Sequence, residues 1–429
     1  MYPNLYYAFK DLFGVEWKAL HFLNSFGFFV ALSFFAAAYV LMKELQRKER
    51  TGLLTATEIK VTIGEPATLV DLLQNLLLGF LLGYKFVGLF LANSDEAADP
   101  QQFIFSLKGN WIAGIALGVA FAALKWWEKN KRRLVKPETR TLRIWPHDRV
   151  GDLVIFAALF GFLGAKIFHN LENWAEFRKD PVGALLSFSG LTFYGGLICA
   201  TIAIYFYARR HKINFKHLCD AAAPGLMLAY AIGRIGCHVS GDGDWGILNS
   251  AYVNNETVGV TAADPSVFQN ELSKNTAFYI NSTGNPDPSA IRHLSVKAPA
   301  FLPDWLFAYS YPHNVLSEGV GIKDCNEQQY CNQLPMPVFP TPFYETLMGL
   351  ALFLFLWSVR SRLRQPGMMF GIYLMVNGAE RFLIEKIRVN TTYTLLGFHP
   401  TQAELIATLL FLTGLLLVVT VKRTRQAGA

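Results

Sequence analysis

Long apolar blocks, each about 20 residues in length, alternate with shorter polar segments along the chain. An α-helix needs a block of this length to cross a bilayer. The pattern therefore predicts an all-α polytopic membrane protein with about nine transmembrane helices. The predicted spans are 22–42, 68–92, 110–127, 151–170, 186–208, 218–239, 344–359, 367–386 and 401–421.

The basic residues between the apolar blocks predict the orientation. The segments that follow the odd-numbered spans hold 24 Lys and Arg residues, whereas the other polar segments hold 10 although they are longer in total. Cytoplasmic segments carry the excess of Lys and Arg in membrane proteins. We therefore expect the N-terminus to lie outside and the C-terminus to be cytoplasmic.

Composition supports a membrane protein and argues against a nucleic-acid partner. Of the 429 residues, 52% are hydrophobic and 17% are charged, whereas soluble proteins have a charged fraction of about a quarter. The net charge is +7, but the basic residues form short clusters between apolar blocks, where topology explains them. We expect the lipid bilayer as a partner and no nucleic acid.

One polar insertion interrupts the apolar pattern in the second half of the chain, and we expect it to be extracytoplasmic. It contains Cys325 and Cys331, which should pair if the segment faces an oxidising space. The chain then divides into an N-terminal membrane region with an extra helix pair, a membrane core with a candidate phosphate-site motif, an extracytoplasmic loop or small domain, and C-terminal membrane core helices (1–150, 151–246, 247–339 and 340–429).

A short pattern occurs twice in the first half of the chain. Asp71-Leu-Leu followed by Gly79-Phe-Leu-Leu-Gly-Tyr-Lys85 resembles Asp152-Leu-Val followed by Gly161-Phe-Leu-Gly-Ala-Lys166, one residue out of register. This similarity indicates either an internal repeat or a chance likeness between apolar, Gly-rich helices.

Three cations lie at similar depth inside predicted spans. Lys166, Arg234 and Arg381 lie roughly 21–24 Å from the cytoplasmic start of a core about 30 Å thick. A charge inside the bilayer is costly and needs a partner, a water-filled cavity or a function. We interpret the three as a candidate anion site near the outer leaflet, although Lys166 could simply extend to the interface.

Two of these cations lie in suggestive local patterns. Arg234 belongs to Gly233-Arg-Ile-Gly-Cys-His-Val-Ser-Gly-Asp-Gly-Asp-Trp-Gly246, where the glycines favour a helix that ends in tight turns with amide N–H groups available to a phosphate. Arg381 and Glu385 are four residues apart on one helix face, and Arg388 follows on the same stripe. Glu385 either orients Arg381 for a ligand or forms a buried ion pair that joins two helices.

Further candidates are weaker. Tyr194-Gly195-Gly196 could begin a helix with an unwound or re-entrant turn that approaches a ligand, although Tyr194 could be an interfacial anchor. His238 and Asp242 are either ligand-binding groups or loop polarity. The sequence has no cluster with zinc-site spacing and no phosphate-binding Walker loop, so we expect neither a metal nor a cofactor.

Taken in order along 151–246 and 340–421, these motifs resemble the prolipoprotein diacylglyceryl transferase family. The strongest piece is Gly233 to Gly246, which is similar to the family signature GRIGN-x-x-NGE-x-x-G. The other matching pieces are Gly161 to Lys166 (G-x-x-L-G-x-R), Tyr194 to Leu197 (HGGL), Leu218 to Pro224 (D-x-x-x-P), Pro340 to Glu345 (P-x-Q-x-YE), Arg381 to Arg388 (RF-x-x-E-x-x-R) and Gln402.

The chain departs from the family pattern at several positions. Tyr194 replaces the family His, Cys237 replaces the Asn of GRIGN, and Lys166 replaces an Arg. Ser240-Gly241-Asp242 stands for NGE with one extra residue following, and Pro342 replaces the Gln before Tyr-Glu.

The resemblance implies an enzyme of the bacterial cytoplasmic (inner) membrane that transfers a diacylglyceryl group from phosphatidylglycerol to the lipobox cysteine thiol of a prolipoprotein. Glycerol 1-phosphate leaves, and no cofactor takes part. The catalytic residues expected from it are Arg234, Arg381, Glu385, Tyr194 and His238. The phosphatidylglycerol-binding residues expected from it are Arg234, Lys166, Gly195, Gly196, Asp242, Arg388 and Glu345.

Two other interpretations stay open. Intramembrane cations and Gly-broken helices also occur in transporters, so the chain could be a transporter or flippase for an anionic lipid, which would predict inverted repeats over both halves. The substitutions at Tyr194 and Cys237 would also suit a catalytically silent homologue that binds lipoprotein precursors. The sequence leaves open the thiol-activating base, the role of the extra helix pair, the lipid specificity and the oligomeric state.

Overall fold

The structure is a computed structural model that describes residues 1–92, 103–104, 106–186, 192–255, 259–283, 291–323, 325, 329–390, 393 and 399–427. Most of these residues are helical. The α-helices are α1 (Leu5–Phe13), α2 (Ser25–Arg50), α3 (Leu69–Phe90, with a π-helical part at Leu82–Val87), α4 (Trp111–Lys131), α5 (Val150–Glu172), α6 (Trp174–Phe177), α7 (Pro181–Leu186), α8 (Phe193–Arg210), α9 (Phe215–Ser240), α10 (Pro265–Thr283), α11 (Thr341–Val359), α12 (Met368–Glu385) and α13 (Gln402–Ala427).

The strands are short and form four two-stranded sheets within the described residues. They are β1 (Thr57–Ile63), β2 (Glu138–Ile144), β3 (Leu248–Asn249), β4 (Tyr252–Asn255), β5 (Gly259–Ala262), β6 (His293–Leu294), β7 (Val320–Gly321) and β8 (Asn332–Gln333). The pairs β1–β2, β4–β5 and β7–β8 are antiparallel, and β3–β6 is parallel. Short 3₁₀ helices occur at Lys18–Phe22, Pro146–Arg149 and Asp304–Leu306.

Seven helices are long and apolar enough to cross a membrane, which makes this a multi-pass membrane protein with an all-α membrane region. They are Ser25–Arg50, Leu69–Phe90, Trp111–Lys131, Pro146–Glu172, Phe215–Ser240, Thr341–Val359 and Gln402–Val421. The other two predicted spans are the 18-residue helices α8 and α12. The total of nine crossings and the orientation therefore stay predictions.

The chain forms two compact units. The continuous unit consists of Leu45–Phe215, and the discontinuous unit consists of Met1–Glu44 together with Lys216–Ala429. The division into four regions at 150, 246 and 339 stays a prediction.

The continuous unit contains two helical hairpins that pack through glycines. In the pair α3–α4, a Cβ atom added to Gly79 would lie 2.5 Å from the Leu117 carbonyl oxygen. In the pair α5–α8, one added to Gly164 would lie 2.5 Å from the Gly195 carbonyl oxygen. At these two positions there is no room for a side chain, so only glycine fits. Small residues at helix interfaces commonly allow such close packing in membranes.

The sequence pattern that occurs twice begins the first helix of each hairpin. Each copy spans 15 residues from its Asp to its Lys, but the glycine comes eight residues after Asp71 and nine residues after Asp152. The first copy contains the π-helical part Leu82–Val87. The choice between an internal repeat and a chance likeness therefore stays open.

In the discontinuous unit, a buried carboxylate fixes the start of α12. Asp220 accepts hydrogen bonds from the backbone N–H groups of Gly367 at 2.8 Å and Phe370 at 2.9 Å. These are N–H groups that a helix start leaves without partners, so the contact sets the position of α12 against α9. Because α12 carries Arg381 and Glu385, Asp220 also positions the candidate site.

The polar insertion has its own apolar core. Tyr311 and Met336 lie at its centre, and the remaining buried members are Leu248, Phe268, Leu272, Tyr279, Ile291, Leu334 and Val338. A disulfide joins Cys325 to Cys331, with the two Cα atoms 5.8 Å apart.

Candidate active site

The candidate site begins where α9 ends. Ser240 is the last residue of α9, and Gly241 and Gly243 then take φ angles of +64° and +94°. Glycine reaches such angles without a steric penalty, so the chain turns sharply and returns toward Arg234. The turn places Asp244 against that arginine.

Backbone pairing brings a second arginine to the same place. The N–H of Gly246 donates to the Phe339 carbonyl at 2.9 Å, and the N–H of Ile247 donates to the Ile387 carbonyl at 2.9 Å. The second contact aligns the segment after α9 with the segment after α12. Arg388 consequently lies beside Asp244, with Nη2 2.6 Å from Oδ1.

Glu345 lies at the centre of the resulting network. Its side chain is 0% exposed, and its carboxylate faces three guanidinium groups. Oε2 lies 2.8 Å from Nε of Arg234, and Oε1 lies 3.2 Å from Nη1 of Arg381 and 3.4 Å from Nη1 of Arg388. A buried carboxylate is tolerated when such partners and geometry compensate its lost hydration.

Arg381 also pairs with Glu385, as the four-residue spacing suggests. Nη2 of Arg381 lies 2.9 Å from Oε2 of Glu385. Glu385 is held in turn by Asn390, whose Nδ2 donates to Oε1 at 2.6 Å. Glu385 therefore fixes the direction in which Arg381 points.

The second aspartate of the turn completes the network. Asp244 contacts both Arg234 and Arg388, whereas Asp242, the residue expected from the sequence, accepts a 3.4 Å hydrogen bond from the Asp244 backbone N–H. Burial raises the pKa of Asp244, but the two guanidinium groups outweigh it and hold that pKa below its ordinary value. Burial raises the pKa of Asp242. Asp244 is thus the carboxylate whose charge the arginines stabilise.

The network is balanced in charge but retains donors for an anion. Three guanidinium groups (Arg234, Arg381, Arg388) face three carboxylates (Asp244, Glu345, Glu385). In the described part of the chain, Arg234 uses Nε and Nη1 for its ion pairs, which leaves the N–H groups of Nη2. The Arg234 and Arg381 side chains are 18% and 24% exposed. A phosphate could accept hydrogen bonds from the remaining N–H groups of these two arginines.

His238 lies one turn beyond Arg234 among aromatic rings. Its Nδ1 is 3.4 Å from the hydroxyl of Tyr311, and the rings of Tyr309 and Phe343 pack at 5.7 and 5.5 Å between centroids. The hydroxyl contact orients the imidazole. Its role as a base stays a prediction.

Cys237 also lies beside the network. Its Sγ is 3.8 Å from Nη1 of Arg234. Sγ and carboxylate oxygens of Asp242 and Asp244 lie within 4.8 Å of one another, which makes them the group in the described residues that could hold a metal ion. Protein zinc sites of the structural kind use four ligands, and here Asp244 is already engaged by two arginines, so the fit to a metal is poor.

The remaining predicted residues lie in the continuous unit. Lys166 is buried in α5, and Tyr194 lies in the first turn of α8 with 37% of its surface exposed. The helix α8 is regular from Phe193 onward, and Gly195 and Gly196 pack closely on α5. The contribution of these four residues to ligand binding stays a prediction.

A comparison of the whole sequence with known families shows which family the chain belongs to. The profile of the family described as prolipoprotein diacylglyceryl transferase matches residues 102–420. The chain belongs to this family.

Relatives within the prolipoprotein diacylglyceryl transferase family are distant. A phosphatidylglycerol–prolipoprotein diacylglyceryl transferase of Dehalococcoides mccartyi is 26% identical over 258 residues, which cover 60% of this chain and 71% of the relative. One from another strain is 35% identical over 144 residues, covering 33% and 52%. One from Streptococcus agalactiae is 24% identical over 282 residues, covering 65% and 82%.

Sequence reasoning missed three residues at this candidate site. Asp244 was overlooked because Asp242 aligns with the family NGE segment, although Asp244 directly precedes the Trp-Gly pair. Tyr230 packs its ring 5.3 Å from the Arg234 guanidinium and donates its hydroxyl proton to Glu380 at 3.1 Å. A signal for the last two existed, because Glu380 is a carboxylic residue within a predicted span.

Proposed function

We propose that the protein is a phosphatidylglycerol–prolipoprotein diacylglyceryl transferase of the bacterial cytoplasmic membrane. It transfers the diacylglyceryl group of phosphatidylglycerol to the thiol of a lipobox cysteine in a prolipoprotein signal peptide. The observation that carries this proposal is the convergence of Arg234, Arg381 and Arg388 on the buried carboxylates Glu345 and Asp244. Family membership gives the same reaction class.

The reaction makes one bond and breaks one bond. The cysteine sulfur forms a C–S bond with the glyceryl carbon that carries the phosphate, and the C–O bond to that phosphate breaks. The thiol proton is released, and glycerol 1-phosphate departs with the bonding electrons on its oxygen. The product is a thioether.

The arginine network suits the departure of the phosphate. Negative charge builds up on the leaving oxygen, and fixed cationic donors in a poorly hydrated site stabilise it strongly. The Nη2 group of Arg234 and the partly exposed Arg381 supply such donors, while Glu345 and Glu385 hold them in place before the lipid arrives. The planar guanidinium matches two phosphate oxygens at once.

The remaining assignments follow the sequence motifs. Lys166, Gly195 and Gly196 are the further candidates for lipid binding, and Tyr194 and His238 are the candidates for the group that takes the thiol proton. With the N-terminus outside and the C-terminus cytoplasmic, the arginine network lies toward the outer leaflet, where a secreted prolipoprotein presents its lipobox. A free thiol has a pKa of about 8.5, so a guanidinium group close to the sulfur would increase the thiolate fraction.

The test uses the purified full chain in proteoliposomes that contain phosphatidylglycerol and a lipobox peptide. Glycerol phosphate release and peptide mass are followed for wild type, Arg234→Ala and the control Arg362→Ala, which changes an exposed arginine outside the network. We expect a diacylglyceryl mass gain that needs Arg234 and survives the control change. No gain with wild type, while another family member works alongside it, would exclude the transferase and favour lipid transport or a silent homologue.

A further inference from the structure

Besides Asp242, a carboxyl group on α12 adjoins the arginine network without belonging to it. Glu380 is 4% exposed, and its Oε1 accepts the Tyr230 hydroxyl at 3.1 Å. Its Oε2 is buried and has no hydrogen-bond partner among the described residues. Because buried polar atoms are rarely left without partners, this oxygen needs an explanation.

The charges around this carboxyl group indicate its protonation state. The three guanidinium groups of the network are already matched by Asp244, Glu345 and Glu385. An ionised Glu380 would add an unmatched negative charge beside Glu345, and a bound phosphodiester would add another. We therefore expect this buried carboxyl group, which has no cation of its own to match it, to hold its proton.

The groups around Glu380 connect it to the proposed phosphate position. Tyr230 and Arg234 face it from α9, Glu345 faces it from α11, and Arg381 adjoins it on α12. The helix α13 also packs on α12 but adds no ionisable neighbour to Glu380 within the described residues. Tyr230 contacts both Glu380 and the guanidinium of Arg234.

We propose that Glu380, held by Tyr230, is the acid that protonates the departing phosphate oxygen in the transfer reaction. This inference rests on the proposed function. Glu380 gives its proton to the leaving oxygen as the C–O bond breaks, and the proton released by the cysteine thiol restores the carboxyl group. The net change is one thiol proton moved to glycerol phosphate, with no other reactant.

The kinetic test compares wild type with Glu380→Gln, which keeps the size and polarity of the side chain but carries no transferable proton. We expect kcat to fall by about 100-fold with KM changed by less than about threefold, as for loss of a general acid. The wild-type kcat should fall as pH rises through the pKa of Glu380. This decrease, which we call the pH limb, should be absent in Glu380→Gln. An unchanged kcat, or an unchanged pH limb, would overturn the proposal.

Two further variants distinguish the loss of an acid from a general disturbance of the structure. Tyr230→Phe removes a hydrogen bond that stabilises the ionised carboxylate, so the pH limb should move to higher pH. Glu44→Gln neutralises another buried carboxyl group, which pairs with Arg360 at 3.5 Å, and should leave the limb in place. A Tyr230→Phe limb at the wild-type pH would contradict the assignment.

A spectroscopic test does not depend on turnover. An infrared spectrum of the full chain at neutral pH should contain the carbonyl stretch of a protonated carboxyl group, which shifts in deuterated water and is lost in Glu380→Gln. If the band is present but wild type has no transferase activity, the proposed function fails while the protonated state of Glu380 stands. If the band is absent, Glu380 is ionised and the acid role is excluded.

Discussion

Oε2 of Glu345 lies 2.8 Å from Nε of Arg234, and the Glu345 side chain is completely buried. The same carboxylate also faces Arg381 and Arg388, so one side chain from α11 holds cations from α9, from α12 and from the segment after α12. The arginines are consequently in place before any lipid binds. Such preorganisation is what makes fixed charges effective in catalysis.

Glu345→Gln should therefore damage both stability and activity. It leaves three guanidinium groups around a neutral amide, and breaking a buried ion pair from one side costs about 3–5 kcal/mol. We expect a lower thermal unfolding temperature in detergent and a loss of transferase activity of at least about 100-fold. The matched control is Glu271→Gln, which removes an exposed pair with Lys274 at 2.6 Å and should change stability by less than about 1 kcal/mol. Equal effects of the two changes would contradict the central role of Glu345.

The two aspartates of the turn after α9 should differ in a direct comparison. Asp244→Asn removes the negative charge that faces Arg234 and Arg388. We expect the free energy of unfolding to fall by about 2 kcal/mol, the size of a hydrogen bond to a charged group. Asp242→Asn should be neutral or slightly stabilising, because burial disfavours the charge on Asp242. Unfolding in denaturant and transferase activity measure both changes. A larger loss for Asp242→Asn would support the prediction that Asp242 is the ligand-binding group.

The pKa directions also predict an acid dependence. The pKa of Asp244 is lowered in the folded protein, so its stabilising contribution is complete above the ordinary Asp pKa of about 4 and is lost as pH falls through the lowered folded value. Below pH 4 the wild type should lose stability more steeply than Asp244→Asn. Thermal unfolding at a series of pH values measures the difference, and parallel curves would argue against the ion pairs of Asp244.

The sequence predicted the seven helices that are long and apolar enough to cross a membrane, and most of the arginine network, because both depend on local patterns. Apolar length gives a span, and the four-residue spacing of Arg381 and Glu385 gives one face of α12. The sequence could not predict that Asp244 rather than Asp242 meets Arg388, since this contact depends on pairing between segments far apart in the chain. The hydrogen bond between Tyr230 and Glu380 could not be predicted for the same reason.

The glycines of the Tyr194-Gly195-Gly196 motif illustrate a different limit. Their presence at a helix start suggested close approach of a ligand, whereas the structure shows close approach of another helix. A Cβ atom on Gly195 would lie 2.6 Å from the Gly164 carbonyl oxygen, and one on Gly196 would lie 2.8 Å from the Gly161 carbonyl oxygen. A sequence alone cannot distinguish these two uses, because both need the same missing side chain.

Gly195→Ala and Gly151→Ala provide the measurement that distinguishes them. An added methyl group at Gly195 meets α5 backbone, so the helices must separate, and we expect a loss of about 1–3 kcal/mol from overpacking. At Gly151, on α5 itself, an added Cβ meets nothing within 4 Å, so alanine should be neutral or stabilise the helix by up to about 1 kcal/mol. Unfolding of the purified variants tests both values. If Gly195→Ala instead kept full stability and raised KM for phosphatidylglycerol, the glycine would contact the lipid, and the packing contact would be secondary.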